Sequence, residues 1–389
     1  MNIILPDACG IDRSSATNGR FIFRGPGGTI ISDGEHSAIA PGTAETLEAR
    51  LTDSFRKGGP RTVVGGALPF RRDRHDHLWQ AARSEARFAP ERQGAATSAA
   101  RLTPAPAPEA YADAVCQAER MLRDQAALPQ GLRKIVLART LAVSSADPIH
   151  EDAVLARLAE DDSVTTFRVG LPGQNNRALI GATPELLVEK RGSAVLSHPL
   201  AGSARRGGDM AEDAEAGAAL ARSDKDRREH AIVVEYILDI LSPLCSQLDC
   251  PDGTRLTATR SMWHLGTRIR GRLKDDTMPA PLIAARLHPT PAVCGLPCDL
   301  AARQIARLEP VDRGFYAGAV GWCDARGDGA WHVAIRCAEI CGRAARLFAG
   351  AGIVEGSDPA AETAETDSKF AAMLRALGLP GDAALIGGA

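Results

Sequence analysis

Near the carboxyl end, Ser357-Asp358-Pro359 opens a helical stretch that carries Glu362, Glu365 and Lys369 on the side of Phe370, Met373 and Leu377. At roughly 100° per residue these six side chains fall within a sector of about 140°. Charge that shares a face with core residues must be paired, bound to a metal or used in chemistry. The run Phe348-Ala349-Gly350-Ala351-Gly352-Ile353-Val354 leads into this helix, so backbone can come close to whatever the carboxylates serve. A second inward carboxylate stands in residues 224–244, where Ile232, Val233, Tyr236, Ile237, Ile240 and Leu244 recur at three- and four-residue steps as a buried stripe. Glu229 lies on that stripe; Asp226, Arg227 and Arg228 lie largely off it, where water can reach them. Alone, Glu229 reads as one half of a buried salt bridge. Two inward carboxylates also suit a hard divalent cation, since magnesium is held by one or two carboxylates with water and substrate oxygens completing its shell.

Other groups depend more on their surroundings. Glu185, in Thr183-Pro184-Glu185-Leu186-Leu187, is a turn residue by local sequence; removed from water it would keep its proton to higher pH and serve as a general acid. Lys134 heads an apolar strand, where it is an ordinary strand-edge lysine or, short of water, a base. Arg336 alternates with apolar residues in Val333-Ala334-Ile335-Arg336-Cys337, and either grips a carboxylate bidentately or faces outward. The loop Pro199-Leu200-Ala201-Gly202-Ser203-Ala204-Arg205-Arg206-Gly207 lacks the Gly-Lys-Ser/Thr ending of a P-loop, and Gly350-Ala351-Gly352 fails the GxGxxG register. Backbone amides at Gly350-Ala351-Gly352 can still bind a small carboxylate. Cys294-x3-Cys298 and Cys337-x3-Cys341 do not make a pair of zinc knuckles, and a G-x-S-x-G elbow is absent.

These residues must be positioned by strands that come in runs with helices inserted between them. Strands are expected at residues 61–67, 134–143, 163–171, 178–189, 194–200, 263–273, 317–323, 330–340 and 346–353, with 163–171 and 178–189 as a hairpin. Helices are expected at 109–125 and 224–244. The pattern predicts α+β, or layered α/β with mostly antiparallel sheet, over a βαβ alternation. Residues 71–108 are rich in Arg, Ala and Pro without a sustained period, and Thr103-Pro104-Ala105-Pro106-Ala107-Pro108 reads as extended linker. Residues 1–108 are therefore expected to be a more irregular part of the scaffold, and 109–389 a catalytic region within one compact domain.

An apolar content of 44% with 24% charged residues is that of a globular protein. The net charge of -2 leaves no electrostatic footprint for nucleic acid or an anionic membrane. Apolar runs are too short for a transmembrane helix, and Met1-Asn2-Ile3-Ile4-Leu5-Pro6-Asp7 lacks the marks of a signal peptide. The nine scattered cysteines suit reduced thiols, so a cytoplasmic location is expected.

Taken together, the motifs resemble the chorismate-binding enzymes from about Arg133 to Leu377. The blocks that carry the likeness are Lys134-Ile135-Val136-Leu137-Ala138-Arg139, Gly181-Ala182-Thr183-Pro184-Glu185-Leu186-Leu187, Pro199-Leu200-Ala201-Gly202-Ser203-Ala204-Arg205-Arg206, Lys225-Asp226-Arg227-Arg228-Glu229-His230 and His288-Pro289-Thr290-Pro291-Ala292-Val293-Cys294-Gly295. Leu308-Glu309-Pro310, Gly321-Trp322-Cys323-Asp324, Ile335-Arg336-Cys337 and the run from Phe348 to Lys369 add to them. Within the family the chain looks most like the isochorismate synthases of catechol siderophore pathways. The resemblance implies the chorismate-utilising fold, with large, mostly antiparallel sheets in a layered core flanked by helices. It implies a magnesium-dependent isomerisation in which water attacks C2 of chorismate, the ring double bonds shift and the C4 hydroxyl leaves. By the same resemblance Lys134 is the base, Glu185 the acid, and Glu229 and Glu365 the metal ligands, with Glu362 close behind. Gly202, Ser203, Arg336, Gly352 and Lys369 match positions that hold the substrate carboxylates, and His264 and Thr267 are expected at the substrate too. A monomer is expected, touching the downstream pathway enzyme only transiently. His264-Leu265-Gly266-Thr267 also resembles salicylate synthases, which eliminate pyruvate from isochorismate. A catalytically silent chorismate-binding regulatory homologue is the alternative from another class.

Overall fold

The computed structural model describes residues 20–83, 100–173 and 176–382. The first seven residues, and residues 84–99 of the unperiodic stretch, lie outside these. Among the described residues every strand pair is antiparallel, in three sheets. One runs, neighbour to neighbour, through Gly28–Ala38, Phe21–Gly25, Thr165–Gly170, Ala178–Thr183, Cys337–Cys341, Ala344–Ile353 and Lys134–Ser144, with Arg101–Ala105 and Gly295–Leu296 sharing the outer edge of the last. The second runs through Gly28–Ala38, His77–Arg83, Thr62–Leu68, Ala319–Asp324, Gly329–Val333, Leu186–Arg191, Ala194–His198, Ile269–Leu273 and Cys245–Asp249. Leu200–Arg205, Met262–Thr267 and Thr254–Ala258 form the third. The α+β reading with large antiparallel sheets holds, and helices flank them: Pro108–Gln125 and Pro359–Ala376 pack on the first sheet, Asp224–Leu241 on the third.

Four segments that read as continuous strands are broken where the chain leaves one sheet for another. Residues 178–189 divide at Pro184-Glu185, 194–200 at Pro199, 263–273 at Arg268, and 330–340 at Ala334-Ile335-Arg336. Both halves of the 178–189 and 330–340 segments are largely buried, so the apolar pattern runs on while the hydrogen-bond ladder changes partner. Pro184 has no N–H to give a ladder. Arg336 takes the left-handed conformation, φ 51°, which is costly for a residue with a Cβ. Glu185 and Arg336 thus sit at the seam between the two large sheets.

The segment read as a linker is extended, but Arg101–Ala105 is zipped onto Lys134–Ser144 with Pro104 opposite Leu141. Proline is tolerated there because the strand lies at the sheet edge. Composition reports the prolines and cannot report an edge. N-terminal and C-terminal residues share one core: Phe21, Leu51 and Val64 belong to the same buried cluster as Ile237 and Trp331. Each such side chain contributes about 1.5–3 kcal/mol when fully buried.

Two helices aim the carboxylates. Asp358 caps Pro359–Ala376, accepting a hydrogen bond from the Ala361 amide at 2.8 Å, with proline in the first turn. Phe370, Met373 and Leu374 are buried, which turns Glu362 and Glu365 inward. Ser223 caps Asp224–Leu241 through the Asp226 amide at 3.2 Å, and burial of Val233, Ile237 and Leu241 fixes the rotation that buries Glu229.

Candidate active site

Glu185, Gly202, Ser203, Glu229, His264, Arg336, Gly352, Glu365 and Lys369 line one cavity at the seam of the sheets. Lys134, Glu362 and Thr267 stand behind its wall. Thr267 is three residues from His264 on one strand, so the two face opposite ways. Its hydroxyl lies 2.7 Å from His230 Nε2 and 3.0 Å from Thr254 Oγ1, and it steadies His230 beside Glu229 rather than reaching the cavity.

Lys134 is wholly buried, and its Nζ lies 2.8 Å from Glu229 Oε1. The contact is an ion pair without hydrogen-bond alignment, since Nζ has no hydrogen-bond partner. The pairing of Ala344–Ile353 with Lys134–Ser144 over ten positions sets Gly352 beside this pair. A Cβ on Gly352 would stand 2.2 Å from Glu229 Oε1 and 3.2 Å from Lys134 Cε, so any side chain there would displace the Glu229 carboxylate. Gly202 has φ +73°, and a Cβ there would press on Asp226 at 3.0 Å.

Glu185 is 3% exposed, and burial pushes its pKa up to about 8, with Lys134 offsetting part of the shift. It is a protonated acid at neutral pH. Burial lowers the pKa of His264 to about 3, helped by the Arg336 and Lys369 charges, so this ring is neutral; its Nε2 has no partner. Arg336 is nine-tenths buried, and among the described residues its guanidinium has neither an ion pair nor a hydrogen bond. Burial lowers its pKa, against the pull of Glu365. A buried cation facing a cavity in this state favours an anion.

On the terminal helix, burial pushes Glu365 up, but Lys369, Ser203 and Lys225 outweigh it and hold the carboxyl below its ordinary range. Lys369 Nζ lies 2.5 Å from Glu365 Oε1 and donates to the Gly350 carbonyl at 2.8 Å, while Ser203 Oγ donates to Glu365 at 3.0 Å. Glu362, 1% exposed, is pushed up by burial and by Glu365, and accepts from Lys225 Nζ at 2.5 Å.

Each of the three carboxylates therefore carries a lysine: Glu229 with Lys134, Glu365 with Lys369, Glu362 with Lys225. Among the described residues no group of three or more metal-type side chains surrounds a single point. Glu229 and Glu365 present to the cavity carboxylate oxygens of the kind a hard cation takes together with water and a ligand's oxygens; they do not make an all-protein cage.

Sequence reasoning passed over three features. Asp226, expected in water, is half-buried beside Gly202. Lys225 received no role, although it stands four residues before Glu229 and so on the same helix face. Tyr316 and Phe348 stack with ring centroids 4.7 Å apart and both line the cavity; no local signal marks them.

The family described as chorismate binding enzyme matches residues 69–378. Isochorismate synthase DhbC of Bacillus subtilis (strain 168) is 42% identical over 351 residues, 86% of this chain and 86% of that protein. Isochorismate synthase EntC of Escherichia coli (strain K12) is 37% identical over 339 residues, again 86% of each. The crystal structure of a candidate 2,3-dihydroxybenzoate-specific isochorismate synthase, DhbC from Bacillus anthracis, superposes with a TM-score of 0.84 at 39% identity, covering 94% of this chain and 98% of that one.

Proposed function

The chain belongs to the chorismate-binding enzyme family, and from that premise we propose that it isomerises chorismate to isochorismate. The observation that carries the reading is Glu185, a carboxyl buried on the cavity wall and held protonated at neutral pH. An acid of that kind is what departure of the C4 hydroxyl requires, because hydroxide is a poor leaving group until it is protonated.

In this mechanism Arg336 and Lys369 take the substrate carboxylates, with the Gly202 and Gly352 backbone close against them. Lys134 is the base proposed for the water that bonds to C2, acting with Glu229, which stands on the cavity wall 2.8 Å from its Nζ; the pair takes the proton that the water gives up. The ring double bonds shift, the C4–O bond breaks, and Glu185 delivers its proton to the departing oxygen, so one water enters as one leaves. Acid and base each contribute about 10²–10⁴-fold, and positioning within a dry cavity supplies more. Magnesium is the cation proposed for Glu229 and Glu365; when bound it neutralises substrate carboxylate charge. Glu362 braces the site through Lys225. Likeness to a protein described as 2,3-dihydroxybenzoate-specific supports a place in catechol siderophore synthesis, and a cytoplasmic setting goes with it.

Product analysis tests the reading. Purified protein with chorismate and magnesium should accumulate isochorismate without pyruvate. Stoichiometric pyruvate with no isochorismate would instead establish the salicylate synthase reaction. Absence of any turnover would establish a silent binding homologue.

A further inference from the structure

The catalytic cavity is narrow, about 80 Å³, and it meets a wider one of about 920 Å³. Pro184, His264 and Arg336 belong to the walls of both. The wider cavity is lined by six arginines, Arg157, Arg205, Arg206, Arg260, Arg336 and Arg375, against the three carboxylates of Glu160, Asp161 and Glu212. In a chain whose net charge is -2, this excess is a local arrangement and does not follow from composition.

Several of these cations are already satisfied. Arg206 grips Asp213 through two hydrogen bonds of 2.6 and 2.5 Å, Arg260 lies 3.2 Å from Glu160, and Arg157 donates to the Ala376 carbonyl at 2.9 Å. Arg205 and Arg375 are different. Both are exposed, and neither has a carboxylate partner among the described residues. Partial burial first, and then the nearby Arg205 and Arg260 charges, hold the Arg375 pKa below its ordinary value. Arg336, also unpartnered, continues the line of positive charge into the catalytic cavity. The other large neighbouring cavity meets the catalytic one at Pro184 alone, and it has two arginines against the six of the wider one: Arg268, and Arg191, which is paired with Glu189 at 2.8 Å. An excess of one sign of charge along a cleft focuses its field and raises the local concentration of an oppositely charged ligand.

We propose that the wider cavity is a capture vestibule for a small dicarboxylate anion, held at its mouth by Arg205 and Arg375 and passed inward to Arg336. The inference rests on the proposed reaction only for the identity of that anion as chorismate. Arg205 and Arg375 act on binding and do not touch the reacting atoms.

The test uses the intact protein with Arg205 and Arg375 both changed to Gln, to Glu or to Lys. At low salt the Gln pair should lose about tenfold in kcat/KM with kcat held, and the Glu pair more. The difference from wild type should shrink as ionic strength rises to about 0.5 M, where screening removes long-range attraction. The Lys pair should restore most of the loss. In parallel, calorimetry with malonate reads the vestibule without turnover: wild type should bind it more tightly than the Gln or Glu pair. A wild type that binds malonate better than its variants yet never converts chorismate would leave the vestibule standing and remove the reaction. The vestibule falls if the Glu pair binds malonate and processes chorismate within twofold of wild type at low salt, or if its loss is in kcat and indifferent to salt.

Discussion

Replacing Glu185 with Gln should slow turnover by orders of magnitude and spare the protein a loss of stability at alkaline pH. A glutamate in an unfolded chain titrates near 4.3, while the folded value is raised to about 8, chiefly by burial. Between these two values the folded state binds one proton more than the unfolded state, so stability falls as pH rises. The sign follows from the raised pKa: the contribution is complete below pH 4.3 and is lost by the time pH passes 8. The gap between 4.3 and about 8, at about 1.36 kcal/mol per pH unit, is worth about 5 kcal/mol, of which about 2–3 kcal/mol is lost between pH 6 and about 8.5. Gln keeps the shape and an acceptor oxygen but cannot ionise, so it escapes that loss. Denaturant unfolding of both proteins at pH 6 and pH 8.5 measures the difference, which should move in favour of the variant by about 2–3 kcal/mol on going to the higher pH. The same proton governs catalysis. Wild-type kcat should fall about tenfold per pH unit above 8, where the acid is increasingly ionised, and Gln should lose about 10²–10⁴-fold at neutral pH. A variant whose stability relative to wild type does not rise with pH, or which keeps wild-type turnover, would show that Glu185 is not the buried acid.

Other substitutions report on neighbouring parts of the site. Gly352→Ala places a methyl 2.2 Å from Glu229 Oε1, so magnesium affinity should fall by about 10–100-fold, and an unchanged metal titration would show that Glu229 does not hold the ion. Arg336→Gln should raise KM by about 10–100-fold, the value of a charge-assisted contact to a carboxylate, and KM equal to wild type would deny its role. Glu229→Gln and Glu365→Gln should each abolish magnesium-dependent turnover. Glu229→Gln also leaves the Lys134 ammonium buried without its partner, a loss of about 3 kcal/mol readable in thermal unfolding; near-normal turnover in either variant would remove the metal assignment.

Much of the site was legible from local pattern. Glu229 and Glu362 were marked as inward charges by helical spacing alone, and both are buried. Helix geometry is local, so the face a residue occupies follows from its position relative to a few apolar neighbours. The family resemblance, not spacing, raised Lys134 and Glu185 above their ordinary readings. Helical reasoning could have added Lys225, which shares the face of Glu229. Thr267 shows the opposite error: strand parity separates it from His264, yet both were expected at the substrate.

Local pattern is enough to say which helix faces are charged, which segments are apolar enough to be strands, and which family the motifs resemble. Where the 178–189 and 330–340 strands break is set by packing, because each half pairs with a different sheet and an apolar pattern does not record its partner. Those breaks place Glu185 and Arg336 at the seam. The structure likewise decided that each carboxylate meets a lysine and that Glu185 stays protonated. Glu185 and Glu229 are residues of one kind in sequence; burial pushes the Glu185 pKa up to about 8, while Glu229 lies 2.8 Å from Lys134 Nζ. Charge state depends on solvent exclusion and on partners brought from elsewhere in the chain, and both exist only once the chain has packed.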